Sequence, residues 1–334
     1  MTYNRSRNLR VLAAIVIASF LVQQTDASLG DHLPEFRACV ADCVSANCGK
    51  DGSLYIPLQR RLLFWTCPAE CDYACQHITT QQRLSRDPPY LAPIVQYHGK
   101  WPFYRFMGMQ EPASVLFSLL NYLAHDYGMS KLRQEIPASY PLRKYYLGYG
   151  YVGLAAWIFS MIFHTRDFNL TEKLDYFGAG AFVMYGLYYT PIRIFRLDQA
   201  SSLGGHARQI VRYWGMLCLG LYLMHVGFLT FVRFDYTYNM AANVVIGIIS
   251  NILWTYFSIT RYIKIGRLWA AWPGLIVAWI ILAMSFELFD FPPWKGMVDA
   301  HALWHLGTVL PTLWWYKFLL KDAKEDMQKE RLKV

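Results

Sequence analysis

From about residue 100 onward the chain is a succession of long apolar stretches separated by short polar connections. They lie near 104–125, 145–164, 175–193, 211–232, 239–259, 269–289 and 300–319. Each is long enough for a helix, rising about 1.5 Å per residue, to cross the roughly 30 Å hydrocarbon core of a bilayer. The pattern predicts an all-α membrane protein, a seven-transmembrane helix bundle over residues 101–320 followed by a cytoplasmic tail, 321–334. At the other end, Arg5, Arg7 and Arg10 precede a short apolar run, Val11 to Val22, and a small-residue exit at Ala27-Ser28. That run is too short to span and has the form of a cleaved signal peptide, 1–27, which starts the mature chain in the lumen. Residues 28–100, without a span-length run, form a small separate lumenal domain.

The polar connections give a second measure of orientation, because lysine and arginine accumulate on the cytoplasmic side of short loops. Alternate loops and the tail hold seventeen of them, among them Lys131, Arg133, Arg193, Arg196 and Arg261, against four (Arg166, Lys173, Arg233, Lys295) in the intervening loops. A lumenal start and a cytoplasmic finish follow, as an odd number of spans requires. Composition agrees: 55% hydrophobic and 17% aromatic residues against 16% charged exceed the norms of soluble domains. The formal charge of +9 is then mainly topological, carried by scattered loops facing anionic lipid. With no nucleic-acid motif beside it, nucleic acid is not an expected partner.

Six of the seven cysteines crowd between Cys39 and Cys75, and only Cys218 lies far downstream in an apolar segment. Crowding in a secreted segment implies disulfides rather than zinc ligation. The four-residue spacings place Cys39 with Cys43, and Cys67 with Cys71 and Cys75, along helix faces. In an antiparallel helical hairpin, paired positions have a nearly constant sum. Cys39-Cys75, Cys43-Cys71 and Cys48-Cys67 satisfy that, with sums of 114, 114 and 115. The sole glycosylation triplet of the mature chain, Asn169-Leu170-Thr171, lies five residues past His164 and close to the membrane.

Placing the polar residues of the spans by depth brings five of them to one end of the bundle: Ser160 and His164, Asp175, and His301 and His305. Each has an ordinary reading by itself: a helix-packing hydroxyl for Ser160, an N-cap for Asp175, an interfacial polar patch for the histidine pair. Together they are the parts of a three-histidine Zn2+ site with an open position for water. Ionisable side chains within spans cost roughly 2.5–3.5 kcal/mol each at mid-depth and persist mainly with a function. His164, His301 and His305 are the expected metal ligands. Asp175 is the expected proton carrier between water and the departing group, and Ser160 the expected donor to the oxyanion. Arg233 is a candidate contact for a lipid phosphate, with an interfacial anchor as the alternative. His225 is expected as a hydrogen-bonded core residue in preference to a support for the site, and the sequence leaves the role of Glu111 open. His125-Asp126 is expected at the cytoplasmic end of the first span, away from the site.

Several runs carry a family likeness: Trp157 to Phe177, which contains Ser160, His164 and Asp175; Arg233 to Asn239; Asp290-Phe-Pro-Pro293; Asp299 to His305; His98 to Phe103; and Gln110 to Ser114. In these the chain closely resembles the post-GPI-attachment-to-proteins factor 3 (Per-like) family, within a wider group of seven-span hydrolases that includes alkaline ceramidases and adiponectin receptors. The resemblance implies a zinc-dependent, phospholipase A2-like hydrolase of glycosylphosphatidylinositol (GPI) anchors. It would remove the unsaturated sn-2 acyl chain from the phosphatidylinositol of GPI-anchored proteins to give a lyso-GPI, in Golgi or endoplasmic reticulum membranes. GPI-anchored proteins and membrane lipids are the implied partners. Two alternatives stay open: a non-catalytic seven-span lipid receptor or sensor with a structural zinc, and a ceramidase-type hydrolase cleaving an amide. An adiponectin-type receptor would place its N terminus in the cytoplasm, opposite to the signal peptide here. A transporter is least favoured, since charges are sparse in the deeper segments and no broken-helix repeat occurs.

Overall fold

Two compact units make up the chain, residues up to Pro102 with Asp235–Ala242, and Phe103–Phe234 with Asn243–Val334. The computed structural model describes residues 28–49, 55–88, 90, 92–199 and 205–331, so the signal-peptide expectation for 1–27 lies outside the described residues. Among the described residues regular structure is helical, with only isolated two-residue bridges besides.

The first unit is a disulfide-braced hairpin. Helix α1 (Pro34–Asn47) starts on a proline, and α3 (Cys67–Leu84) is capped by Thr66, whose hydroxyl accepts from the Ala69 amide. A short α2 (Leu58–Leu62) lies between them in sequence. Bridges join Cys39 to Cys75, Cys43 to Cys71 and Cys48 to Cys67, the same pairs that the constant sum selects. They brace a small core cluster of Phe36, Cys75, Val95 and Tyr97 among the described residues. A core that small does not hold a domain of this size by burial alone, which is where cross-links that restrict the unfolded chain matter most.

The His98-Gly99 turn completes this unit. His98 and Gly99 both adopt positive φ, 51° and 79°. The His98 amide donates to the Asp31 carboxylate at 2.9 Å, and its ring lies 3.2 Å from Asp31 and 2.8 Å from Asp72.

The second unit holds the long helices α4 (Pro112–Glu135), α5 (Arg143–Thr165), α6 (Asn169–Ile194), α7 (Ala207–Gly227), α9 (Trp272–Phe289) and α10 (Ala300–Arg331), and most of α8 (Tyr236–Ile265). Helix α4 packs on α5 and α10, α5 on α6, α6 on α7, and α9 on α10. Backbones approach closely where glycine permits it. A Cβ on Gly128 would come within 2.2 Å of the Tyr316 ring, and one on Gly150 within 2.3 Å of Met129. Small residues at such crossings let membrane helices gain packing without a hydrophobic drive between them.

Four segments, Arg143–Thr165, Ala207–Val232, Tyr236–Ile265 and Leu268–Phe289, are long and apolar enough to cross a membrane. The other three helices at expected spans, α4, α6 and α10, are long but more polar. Their polar residues are turned inward: Ser118, Asn121 and His125 on α4, Thr190 and Arg193 on α6, and His305, Thr308, Thr312 and Asp322 on α10 are all buried.

Two boundaries differ from the expectation. The first helix starts at Pro112 rather than near 104, because the preceding chain turns at Phe106–Met109 and its Gln110 and Glu111 amides donate to the Thr165 and His164 carbonyls. It runs on to Glu135, so His125 sits in mid-helix rather than at an end; its Nδ1 is 2.8 Å from the Tyr316 hydroxyl. Helix α10 continues without a break from 300 to Arg331, through most of the expected tail.

Several basic residues assigned to lipid-facing loops instead form a buried ion-pair layer. Arg193 forks onto Asp322 at 2.5 and 2.7 Å, Arg261 reaches the same carboxylate at 2.8 Å, and Arg196 pairs with Asp326. Bidentate guanidinium–carboxylate geometry suits such a desolvated setting.

Candidate metal centre

The site begins with the ends of three helices. His164 lies in the last turn of α5, one turn beyond Ser160, and both are buried. His301 and His305 occupy the first two turns of α10, four residues apart on one face. That helix is started by Asp299, whose carboxylate accepts from the Ala302 amide at 2.8 Å, a side-chain cap for an otherwise unpaired N–H. The beginning of α4 is held to the end of α5 by the two backbone bonds from Gln110 and Glu111. This brings a third helix against the same point.

The three imidazoles meet. Nε2 of His301 is 3.4 Å from Nε2 of His164 and 3.0 Å from Nε2 of His305, and one ligand atom from each ring lies within 4.8 Å of the others. Each far nitrogen is engaged. Nδ1 of His164 is 2.7 Å from Glu111, Nδ1 of His301 is 2.6 Å from Glu287, and Nδ1 of His305 is 2.9 Å from the Ser118 hydroxyl. Ser118 lies in turn 3.1 Å from Ser160.

This arrangement fits a tetrahedral cation. An ionised carboxylate only accepts, so Glu111 and Glu287 require the proton on Nδ1 and leave the Nε2 lone pairs turned toward one another. Lone pairs at such spacing repel unless a cation lies among them. Ligand bonds of 2.0–2.1 Å at tetrahedral angles place nitrogens about 3.3 Å apart, close to the 3.4 and 3.0 Å that separate Nε2 of His301 from those of His164 and His305. Two carboxylates behind the rings also offset the charge of a divalent ion in a buried place. His305 packs edge-on to Trp157, with ring centroids 5.3 Å apart. His301 is the open side, with 35% of its side chain exposed.

Of the other expected site residues, Ser160 belongs to this cluster through Ser118. Asp175 is not in the ligand group; it lies half-buried on the second turn of α6. Gly178 packs against Ala156 across the α5–α6 hairpin, and the same antiparallel register puts Asp175 level with Phe159 and Ser160. Arg233 is exposed at the end of a π-turn, Phe228–Val232. His225 is half-buried on α7, facing α6 at Gly180. Asn169 is exposed at the first position of α6, while the Thr171 hydroxyl donates to the Arg166 and Phe168 carbonyls. Sequence reasoning missed Ser118 and Glu287. Glu287 had a signal, being the sole charged residue of the 269–289 stretch.

The Per1-like family pattern matches residues 57–323. The chain belongs to the Per1-like family. It is 41% identical over 316 residues to the Protein PER1 homolog of Schizosaccharomyces pombe, covering 94% of this chain and 93% of that protein. Similar proteins also include the GPI-specific phospholipase A2-like PGAP3 of Danio rerio, 38% identical with 95% and 98% covered, and that of Homo sapiens, 32% identical with 96% and 98% covered. No solved structure matches this Per1-like chain. The family match spans α2 to most of α10 and so includes the whole imidazole cluster.

Proposed function

We propose that this chain is a membrane-embedded zinc hydrolase that removes the unsaturated sn-2 acyl chain from the phosphatidylinositol of GPI-anchored proteins, leaving a lyso-GPI. The observation that supports the reading is the convergence of three imidazoles that could hold a metal ion, each with its Nδ1 engaged by a partner, in a chain whose relatives are named for GPI-specific phospholipase A2-like activity. His164, His301 and His305 would hold the metal, which when bound would supply Lewis acidity and a water acidic enough to ionise near neutral pH.

The chain's own residues do the rest. Asp175 takes the proton of the attacking water and returns one to the departing glycerol oxygen, a role its level beside Ser160 supports. Ser160 and its neighbours provide hydrogen bonds as charge grows on the carbonyl oxygen. Arg233, exposed near the same end, meets the inositol phosphate. An sn-2 ester lies just below the headgroups, so a site at the helix ends is reached by sliding between helices, with the partly exposed His301 side as the way in. The site and N terminus face the lumen of the Golgi or endoplasmic reticulum, where GPI-anchored proteins are displayed, and the C terminus faces the cytoplasm.

Mass spectrometry of GPI lipids from cells lacking the chain tests this. Retained unsaturated sn-2 chains are expected, restored by the wild-type chain and not by His301→Ala. A normal lipid profile would favour a receptor or a different substrate.

A further inference from the structure

Two tight turns stand at the same end of the second unit as the imidazoles. One spans Phe106–Met109 and leads directly into Gln110 and Glu111, which fasten α4 to the end of α5. The other, Trp294–Val298, lies in the connection between α9, which brings Glu287, and α10, which brings His301. Tyr104 pins the second turn to the strand of chain that enters the first. Its amide donates to the Gly296 carbonyl at 2.7 Å, and a Cβ on Gly296 would come within 2.3 Å of its ring.

The two turns share one backbone form. Met107 and Gly108 have φ of 52° and 85°, Lys295 and Gly296 of 52° and 68°, and the Met109 and Met297 amides donate back to the Phe106 and Trp294 carbonyls. Positive φ at two successive central residues marks a hairpin turn that favours Asn-Gly or Asp-Gly, whose short polar side chains suit both the backbone and water. Methionine and lysine stand there against that preference. Met107 and Trp294 are each 68% exposed, and Phe106 and Met297 are exposed as well. The His98-Gly99 turn has the same pair of positive φ angles with a polar side chain held by two carboxylates. The turn form itself therefore does not require apolar tips.

Single exposed apolar residues need no explanation, but four on two adjoining turns form a patch, and such patches mark a partner. The composition selects which. The Lys295 ammonium lies over the Trp294 ring, 4.8 Å from its centroid, and both residues are exposed. Lysine is depleted from protein–protein interfaces. Tryptophan beside lysine instead suits the surface of a bilayer, where the ring sits at headgroup level and the ammonium reaches the phosphates.

We infer that the two turns form a lipid-docking platform, in which Phe106, Met107, Trp294 and Met297 enter the boundary between headgroups and acyl chains and Lys295 meets phospholipid phosphates. One turn is continuous with Glu111 and the other with Asp299 and His301, so docking sets the depth of the histidine centre relative to the lipid esters. It does so whether the centre hydrolyses a lipid or only binds one, and the inference stands apart from the hydrolase reading.

The test places single cysteines on both turns, Phe106→Cys, Met107→Cys and Met297→Cys, in a Cys218→Ala background that removes the one thiol outside the disulfides. Each is labelled with bimane in the full chain held in lipid nanodiscs. Ser139→Cys, in the exposed connection after α4, is the water-facing control. Labels on both turns should be quenched by phospholipids brominated on their upper acyl carbons, and aqueous iodide should quench them several-fold less than at Ser139. Iodide quenching equal to the control would overturn the platform. Protection from both quenchers would overturn it too, since protein, a second copy included, would then cover the turns.

Discussion

Replacing Glu287 by glutamine changes almost nothing but a charge, and the centre is built so that this charge matters. The carboxylate is 8% exposed and lies 2.6 Å from Nδ1 of His301. Adding the width of the ring and a ligand bond puts it about 7 Å from the point where the Nε2 atoms converge. At an effective dielectric constant of about 20, a unit negative charge at that distance from a divalent ion is worth about 5 kcal/mol. Much of this is offset, because burying the carboxylate itself carries a desolvation cost that glutamine avoids. The glutamine carbonyl can also still accept from the Nδ1–H.

The remainder should resemble the effect of losing other hydrogen-bond partners behind metal-bound histidines, about 10–100-fold in affinity or about 1.4–2.7 kcal/mol. The assay is competition with a calibrated chelator on the purified chain, followed through zinc per chain, with helical content checked by circular dichroism. Glu287→Gln should weaken zinc by that factor at unchanged helicity, and Glu111→Gln should do the same through His164. Wild-type affinity in both variants would refute the claim that these carboxylates orient and charge-balance the ligands.

Three further outcomes are expected. Asp175→Asn should keep most of its zinc, because Asp175 lies outside the ligand group, yet lose lipid turnover; a fully active variant would end its role as proton carrier. Arg193→Met should destabilise the chain in denaturant unfolding by less than the about 3–5 kcal/mol of a buried charge left alone, because Arg261 still reaches Asp322, and Arg261→Met added to it should bring the loss up to that range. The His98 imidazole is held above its usual range of about 6.5, chiefly by its hydrogen bond to Asp72 and also by the Asp31 charge. Its contribution to the first unit is therefore fully present below about pH 6.5 and lost as pH rises through the raised value. With its side chain 57% exposed the effect is under about 1 kcal/mol, read as faster hydrogen exchange at the 97–100 turn at higher pH in the wild type and a weaker pH dependence in Asp72→Asn, where only Asp31 remains beside the ring.

The parts of this molecule legible in the sequence are those fixed by period and spacing. Four-residue intervals put Ser160 with His164 and His301 with His305, and a constant sum paired the cysteines, because helix and hairpin geometry turn spacing directly into position. What spacing conveys poorly is which polar residue meets which across helices. Glu287 and Ser118 stand alone among apolar neighbours in sequence, and their meaning lies in partners 14 and 187 residues away. Arg193 and Arg261 read in sequence as loop charges facing lipid, since a positive residue at a helix end serves that purpose unless a carboxylate from another helix arrives, as Asp322 does. The start of the first bundle helix is hidden for a similar reason: its upstream residues continue the expected span in sequence, and tertiary bonds to Thr165 and His164 turn them instead.

Helix α10 links the two polar layers of the second unit. His305 and Asp322 are 17 residues apart on one unbroken helix, about 26 Å at the helical rise. That is close to the thickness of the hydrocarbon that the apolar helices are long enough to cross. At one end the helix delivers two of the three imidazoles; at the other it is gripped by Arg193 from α6 and Arg261 from α8. Ion pairs in a buried layer add little net stability against apolar alternatives, but they are intolerant of misregister. A slip of one residue along the axis would move His301 and His305 by about 1.5 Å and rotate them by about 100°. Metal and catalytic geometry tolerates only about 0.5 Å. The ion-pair layer therefore has a use that its energy alone does not explain: it fixes the depth and rotation at which the histidines of α10 meet His164.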